Sequence, residues 1–299
     1  MKVKEGKAMK LENSTGTLRP INIKFKPNFI TNLLSYIIMC IITVIVFLPI
    51  VITLFASFKT SNEIGVDFPL KIPSFTYIEN YVTVFTKGKI LLGFKNSVVI
   101  VCISIFLNTF LGSMTAYTLH RFNFRFKKVI MALFVVGMVI PVYVTEIARF
   151  PLIHSMGVYN TIFAPIIIYA ATDLMQIYIY TQFVEKISVS LDESAMLDGC
   201  SYFGIFFKII FPLLLPATAT LGIIKAVDIM NDMYIPYLYM PSSKLRTLTT
   251  TLMDFSSSRS GSWEVLSAAI IVVLLPTVLI YIVFQKFIFA GIVAGAVKE

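Results

Sequence analysis

Four polar residues interrupt the apolar segment Leu213–Tyr234, where charged side chains are costly. Lys225, Asp228 and Asp232 are spaced three and four residues apart, with Asn231 between them, so a helix would place the three charges on one face. A charge at the centre of a bilayer costs about 2.5–3.5 kcal/mol, so such residues usually face a bundle interior or a wet cavity. The pattern favours a polar wall of a solute path, with carboxylates that accept hydrogens from solute hydroxyl groups. A Lys225–Asp228 ion pair, or a contact to a neighbouring subunit, is the structural alternative.

Two more polar pairs lie within apolar segments or at their ends. Asp173 and Gln176 are three residues apart, as are Glu146 and Arg149. Both pairs are candidates for lining the same cavity or for pairing internally. For Glu146 and Arg149 the spacing favours a mutual ion pair.

Residue sets that carry out catalysis or bind metals are not recognisable in this sequence. The histidines, His120 and His154, are far apart, and Cys40, Cys102 and Cys200 show neither a metal-binding spacing nor a disulfide framework. The chain also lacks the GxxxxGK[ST] loop that cradles phosphate. We therefore expect no catalytic residues, no metal site and no ATP hydrolysis by this chain alone.

The composition predicts the elements that position the polar residues. The chain is 57% hydrophobic and 14% charged, with a mean hydropathy of +0.85, whereas soluble domains are about 25% charged. A helix needs about 20 apolar residues to cross the hydrocarbon core. Six stretches meet this requirement and predict an all-α, polytopic membrane helix bundle of six transmembrane helices: Leu33–Phe55, Ser97–Leu119, Val129–Ala148, Thr161–Tyr180, Leu213–Tyr234 and Leu266–Phe289.

The net charge of +9 is typical of membrane orientation rather than of nucleic-acid binding. Basic residues crowd positions 1–31 and the short Arg121–Lys128 loop, and short loops rich in Lys and Arg remain on the cytoplasmic side. We expect residues 1–31 to form a cytoplasmic tail without a signal peptide, since no apolar stretch follows the first charges directly. Residues 32–299 are expected to form one transmembrane domain with both termini cytoplasmic.

The connection between the fourth and fifth segments, residues 182–211, mixes acidic and apolar side chains. Asp192 is predicted to cap a short helix that begins at Glu193, and Gly199 is predicted to end it. A second amphipathic segment then runs to Pro212. This helix–glycine–helix knob is suited to docking a soluble protein, and the residues alone equally allow a helix that lies on the lipid surface.

The knob resembles the signature loop of ABC-importer permeases, whose pattern is Glu-Ala-Ala, three residues, Gly, nine residues, Ile, one residue, Leu-Pro. The matching residues are Glu193, Ala195, Gly199, Ile209 and Pro212, with Ser194 in place of an Ala and Phe211 in place of the Leu. Further matches narrow the resemblance to carbohydrate-uptake permeases similar to the second permease subunit of maltose-type importers. These matches are Glu79-Asn80-Tyr81, Asn96-Ser97, Ala116-Tyr117, Arg121-Phe122, Asn231-Asp232 with Pro236, Thr247-Leu248, Trp263 and Gly295–Lys298.

The resemblance implies a multi-pass subunit of a sugar importer in a bacterial plasma (inner) membrane. The implied partners are a second, different permease subunit, two ATP-binding subunits and an extracellular or periplasmic solute-binding protein. ATP and Mg²⁺ would be bound by the ATP-binding subunits, and this chain would hold no cofactor. The knob would be the coupling helix, and its contacts with the ATPase would be Glu193, Ser194, Ala195, Asp198, Gly199 and, in the C-terminal tail, Lys298. The substrate path would contain Lys225, Asp228, Asn231, Asp232, Asp173 and Gln176.

Two other functions were weighed against this interpretation. A secondary transporter driven by protons or sodium ions would also explain acids within the membrane, but it usually carries an internal repeat, which the sequence lacks. An ABC permease for a solute other than a sugar is the second alternative. Within the sugar importers, Lys225 would suit an acidic substrate such as a uronate oligosaccharide.

Overall fold

The computed structural model describes residues 29–171, 174–256 and 262–296, and these residues form helices, turns and loops without a β-strand. The helices are α1 (Phe29–Ala56), α2 (Ser61–Val66), α3 (Glu79–Lys87), α4 (Ile90–Arg121), α5 (Lys127–Val139), α6 (Val142–Ser155), α7 (Phe163–Ala170), α8 (Leu174–Glu185), α9 (Val189–Leu197), α10 (Tyr202–Ile205), α11 (Phe211–Leu213), α12 (Leu215–Asn231), α13 (Tyr234–Tyr239), α14 (Met253–Ser256) and α15 (Trp263–Ala296). A π-helical turn, Phe206–Ile210, joins α10 to α11, and a 3₁₀ turn, Thr250–Leu252, precedes α14. The prediction of an all-helical chain is confirmed for these residues.

Three of the helices are long and apolar enough to cross a membrane: Asn32–Ala56, Ile90–Arg121 and Trp263–Lys286. Three bent helix pairs raise the number of candidate spans to six if each pair counts as one. The predicted third and fourth segments are therefore broken rather than continuous. Helix α5 ends at Val139 and the chain is extended at Ile140, because a proline disfavours a helical conformation in the residue before it.

The fifth predicted segment, Leu213–Tyr234, begins beside a sharp bend, and its helix α12 ends at Asn231. Tyr202–Leu213 and Leu215–Asn231 meet at 74°, and the bend falls at Leu214, two residues before Pro216 in the first turn of α12. In α15, by contrast, Pro276 is accommodated inside a helix that continues past it. The sequence shows where the prolines lie. Only the packed structure shows that Pro141 and Pro216 accompany bends, whereas Pro276 lies inside a helix that continues past it.

The chain divides into two units at Ile50 and Val51, and the first unit holds most of α1. In the second unit, α4 packs against α7, α8 and α12, and α12 packs against α15. Small side chains such as Ser104, Ser113 and Ala116 line the buried face of α4, which allows these helices to approach closely. Helix α4 therefore contacts both α8, which carries Gln176, and α12, which carries Lys225 and Asp228.

Candidate functional site

The knob begins earlier in the chain than predicted. Helix α9 starts at Val189, and its cap is Ser188, whose hydroxyl accepts a hydrogen bond of 3.3 Å from the backbone N–H of Ser190. The predicted cap at Asp192 is wrong, because Asp192 lies inside the first turn of α9 with its side chain buried. Ser188 is a favourable cap residue, but Asp192 is one as well and lies closer to the signature motif in the sequence.

The predicted end of the helix is confirmed at Gly199. Gly199 adopts a left-handed conformation with φ of +81°, which glycine tolerates without a steric cost. The N–H of Gly199 donates to the Met196 carbonyl at 3.0 Å, and the N–H of Cys200 donates to the Ala195 carbonyl at 2.9 Å. This pair of bonds is a Schellman motif, which satisfies the last carbonyls of the helix and turns the chain sharply.

Most of the predicted knob residues face outward. Glu193, Ser194, Asp198 and Gly199 are exposed, and Ala195 packs inward at 5% exposure. Apolar side chains also remain uncovered on this surface, and the most extreme is Leu197, which is 90% exposed. A surface that combines acids with uncovered apolar side chains is suited to docking another protein.

A buried ion pair attaches the knob to α4. The Arg121 Nε lies 2.9 Å from the Asp192 Oδ2, and both side chains are less than a tenth exposed. This contact is an ion pair rather than a well-aligned hydrogen bond. The Tyr117 hydroxyl donates to the other Asp192 oxygen at 3.1 Å, and the Arg121 Nη2 donates to the Ile187 carbonyl at 2.5 Å. We call Tyr117, Arg121 and Asp192 the anchor triad.

In the sequence, Tyr117 and Arg121 stand out as matches to a family pattern, and nothing there indicates that they anchor the knob. Tyr117 and Arg121 are four residues apart, so a helix places them on one face, and this spacing was an available signal. Nothing local, however, indicates that their partner would be Asp192, which lies 75 residues after Tyr117.

A second polar region surrounds a cavity of about 270 Å³ between α4, α5, α8 and α12. Lys225 and Asp228 of α12 and Gln176 of α8 line it, together with Met138 and Met175. These three polar residues were predicted for the substrate path, and the structure brings them to one cavity. Since methionine side chains are flexible, the apolar part of this wall can adapt its shape.

Asn108 of α4 is a cavity residue that the sequence reasoning missed. Its Oδ1 accepts a hydrogen bond of 2.7 Å from Gln176 Nε2, and its own Nδ2 donates to the Ala171 carbonyl at 2.8 Å. Asn108 is 1% exposed and joins α4 to the junction between α7 and α8. An amide in the middle of an apolar segment was the signal that could have identified it.

Asn231 and Asp232, which were predicted for the same substrate path as Lys225 and Asp228, are not among the residues that line this cavity. Helix α12 ends at Asn231, so Asp232 leaves the helical face on which it was predicted. Its carboxylate accepts from the backbone N–H of Tyr234 at 2.7 Å and from the Tyr169 hydroxyl at 2.8 Å, and so fixes the start of α13. The Asn231 Oδ1 accepts from the Thr277 hydroxyl of α15 at 3.0 Å. Both side chains therefore have specific contacts between elements.

Asp173 and Lys298 lie outside the described residues. The predicted pairing of Glu146 with Arg149 is confirmed by an ion pair, and Tyr239 donates to the other Glu146 oxygen at 2.5 Å. Burial, together with the hydrogen bond to this carboxylate, raises the pKa of the Tyr239 hydroxyl. Glu146 thus joins α6 to α13.

Two of the other matched motifs, Asn96-Ser97 and Thr247-Leu248, meet at the end of α4 opposite the knob. Asn96 Nδ2 donates to the carbonyls of Lys244 at 3.1 Å and Arg246 at 2.9 Å, and the Ser97 hydroxyl accepts from the Leu248 N–H at 2.9 Å. The Thr249 hydroxyl donates to the Asp232 carbonyl at 2.8 Å. The contacts of Asn96 and Ser97 join segments about half the chain apart, whereas the Thr249 contact is more local.

Comparison with known proteins identifies this arrangement. Residues 108–293 match the family model described as the binding-protein-dependent transport system inner membrane component. The chain belongs to this family. The match covers more than half of the chain, and the anchored knob and the lined cavity lie within it.

Individual relatives agree with the family. The permease is 35% identical, over 88% of its length and 96% of the relative's, to ORF2 of Caldicellulosiruptor sp. (strain Rt8B.4), an ABC transporter permease protein by name. It is 30% identical, over 84% of its length and 91% of the relative's, to the melibiose/raffinose/stachyose import permease protein MelC of Bacillus subtilis (strain 168). A solved bacterial ABC transporter involved in the import of the acidic polysaccharide alginate has the same fold, with a TM-score of 0.74 at 20% identity, over 86% of this chain and 96% of that chain.

Proposed function

We propose that this permease forms half of the translocation pore of an ATP-driven importer for an oligosaccharide in a bacterial plasma membrane. The observation that carries the proposal is the family membership together with relatives named for the transport of sugars, including MelC. A second, different permease subunit completes the pore, and a solute-binding protein outside the cell delivers the sugar. In this proposal the chain crosses the membrane six times. Both termini, the basic tail 1–31 and the knob lie in the cytoplasm, because the short Arg121–Lys128 loop is rich in Lys and Arg.

The knob is the proposed docking element for one of two ATP-binding subunits, which hold ATP and Mg²⁺. Its exposed acids, Glu193 and Asp198, flank the uncovered side chain of Leu197, so a partner cleft with an apolar floor and basic rim would complement it. Lys298 in the C-terminal tail is a further proposed contact. This division of labour leaves the chain without an enzymatic activity of its own.

Purification from the native host in mild detergent, followed by mass spectrometry, tests the proposed assembly. We expect a second permease, an ATP-binding subunit and a solute-binding protein to accompany the tagged chain. Leu197→Asp should reduce recovery of the ATP-binding subunit. Leu70→Asp, on the loop between α2 and α3, is the matched control. Uptake by this chain alone, driven by protons or sodium ions, would contradict the proposal.

The cavity leads to a narrower proposal about the sugar. Lys225 and Asp228 are the charged residues among the described cavity lining, and an ammonium group there suits a carboxylated sugar. The fold neighbour that takes part in alginate import is compatible with an acidic substrate but supports only the fold. Lys225→Met should reduce uptake of uronate oligosaccharides more than uptake of neutral ones. Equal uptake of every tested sugar by the variant and the native chain would exclude this role.

A further inference from the structure

The anchor triad is unusual because it buries two full charges beneath a helix most of whose residues are exposed. Asp192 is 4% exposed, while its neighbours Leu191 and Glu193 are both exposed. Burying an ion pair gives little net stability when compared with apolar packing, so its presence here calls for another explanation. A directional contact that fixes one element relative to another is such an explanation.

In these contacts α4 supplies the donors and the knob supplies the acceptors. Helix α4 supplies Tyr117 and Arg121, which both reach the Asp192 carboxylate. The segment entering α9 supplies the Ile187 carbonyl, which accepts a hydrogen bond from the Arg121 Nη2. The two elements are thus held at three points, so a displacement of α9 cannot leave α4 in place without breaking charged contacts.

Helix α4 offers a direct path from the knob to the cavity. It runs from Ile90 to Arg121 without an internal proline. Asn108, which holds Gln176 beside the cavity, lies about 20 Å along the same helix from Arg121, at about 1.5 Å per residue. The chain leaving α9 towards α12 is interrupted by the Gly199 turn, the π-helical turn and the 74° bend at Leu214.

We infer that the Arg121–Asp192 pair transmits movement of the knob to α4 and so to the cavity wall. Arg121, Asp192 and Tyr117 are positioning residues in this scheme, since they act through α4 and touch neither nucleotide nor sugar. The inference rests on the proposed function and adds to it the mechanical connection within this subunit. When the ATP-binding subunits close, α9 and α4 would move as one body, and Asn108 would move with them.

The test uses the complete transporter in proteoliposomes and measures sugar molecules imported per ATP hydrolysed. We expect Asp192→Asn to reduce this ratio by roughly two- to thirty-fold, the range seen when a residue that carries coupling is changed. Tyr117→Phe, which keeps the ring and removes only the hydroxyl, should produce a smaller reduction. Exchange of the charges, Arg121→Asp with Asp192→Arg, should recover part of the ratio that either single change loses.

Asp67→Asn is the matched control, because it removes a carboxylate from an exposed ion pair with Lys71, 2.8 Å in length. An unchanged ratio in Asp192→Asn and Tyr117→Phe would overturn the inference. So would loss of the ATP-binding subunit from the purified variant, since the pair would then shape the docking surface instead of transmitting movement. If the native complex shows no ATP-driven uptake, the proposed function fails first, and the two failures are thereby distinguished.

Discussion

Gly112 and Gln176 face each other so closely that a Cβ atom added to Gly112 would lie 2.7 Å from the Gln176 Cδ. The absent side chain leaves room for the Gln176 amide, which in turn donates to Asn108. A tight contact between α4 and α8 therefore lies beside the polar lining of the cavity. A glycine in a long apolar helix is used here to admit a neighbouring polar side chain.

Gly112→Ala should displace Gln176 and break its hydrogen bond with Asn108. Overpacking of a tight core costs about 1–3 kcal/mol, so we expect a lower thermal unfolding midpoint in detergent and reduced sugar uptake. Gly137→Ala is the control, because nothing lies within 4 Å of the Cβ position at Gly137. Equal midpoints for the two variants would show that α4 and α8 can separate without cost.

Gly199→Ala should weaken the end of α9. The left-handed conformation at Gly199 costs a residue with a side chain about 1–2 kcal/mol, so the Schellman turn should open. We expect weaker binding of the ATP-binding subunit, measured as its recovery with the tagged permease. Gly65→Ala, in an exposed turn of α2 without a left-handed backbone, should leave recovery unchanged. Unchanged recovery in Gly199→Ala would separate the turn from docking.

Asn96→Ala should loosen the end of the bundle opposite the knob. The two carbonyls that accept from Asn96, those of Lys244 and Arg246, would each lose a hydrogen bond, typically worth about 0.5–1.5 kcal/mol. Faster hydrogen exchange in residues 244–252 is the expected measurement. Asn123→Ala is the control, since Asn123 is exposed. Exchange that is unaltered in Asn96→Ala would show that Ser97 alone holds this segment.

Stability of α2 should depend on pH through Glu63. The backbone N–H and hydroxyl of Thr60 donate to the Glu63 carboxylate, and these bonds lower its pKa below the ordinary value. A lowered pKa in the folded state means that the stabilisation is present above the unfolded value, about 4.3, and is lost as the pH falls through the folded pKa. Hydrogen exchange in residues 61–66, corrected for its intrinsic rate, should rise at acid pH.

Glu63→Gln provides the comparison for this pH effect. The amide keeps an oxygen acceptor but has no charge to lose in this range. Its corrected exchange rate should therefore be insensitive to acid. An equal pH response in both proteins would assign the effect to another group.

The sequence predicted features that depend on neighbouring residues. The turn at Gly199 follows from the conformational freedom of glycine, and the helical composition follows from apolar stretches of sufficient length. Lys225, Asp228 and Gln176 were placed at a common cavity on the ground that buried polar groups need a polar environment. Each of these predictions used only information within a few turns of the residues concerned.

Features that depend on distant residues were not predicted. Asp192 was assigned to a cap because its true partners, Tyr117 and Arg121, lie on another helix. Asp232 was assigned to the face of α12 because a sequence does not show that Thr249 and Tyr169 hold the chain where the helix ends. Local preference competes with such contacts, and the contacts determine the outcome.

The π-helical turn Phe206–Ile210 has a consequence for how this family can change in length. Such a turn holds one residue more than an α-helix would, and each residue corresponds to a rotation of about 100° around the helix axis. A deletion there would rotate the knob against α12, whereas a deletion in the loop after α2 would leave that angle alone. Insertions and deletions among homologous sequences should therefore be rare in this turn. A permease engineered to work with a different ATP-binding subunit should keep the length of this turn.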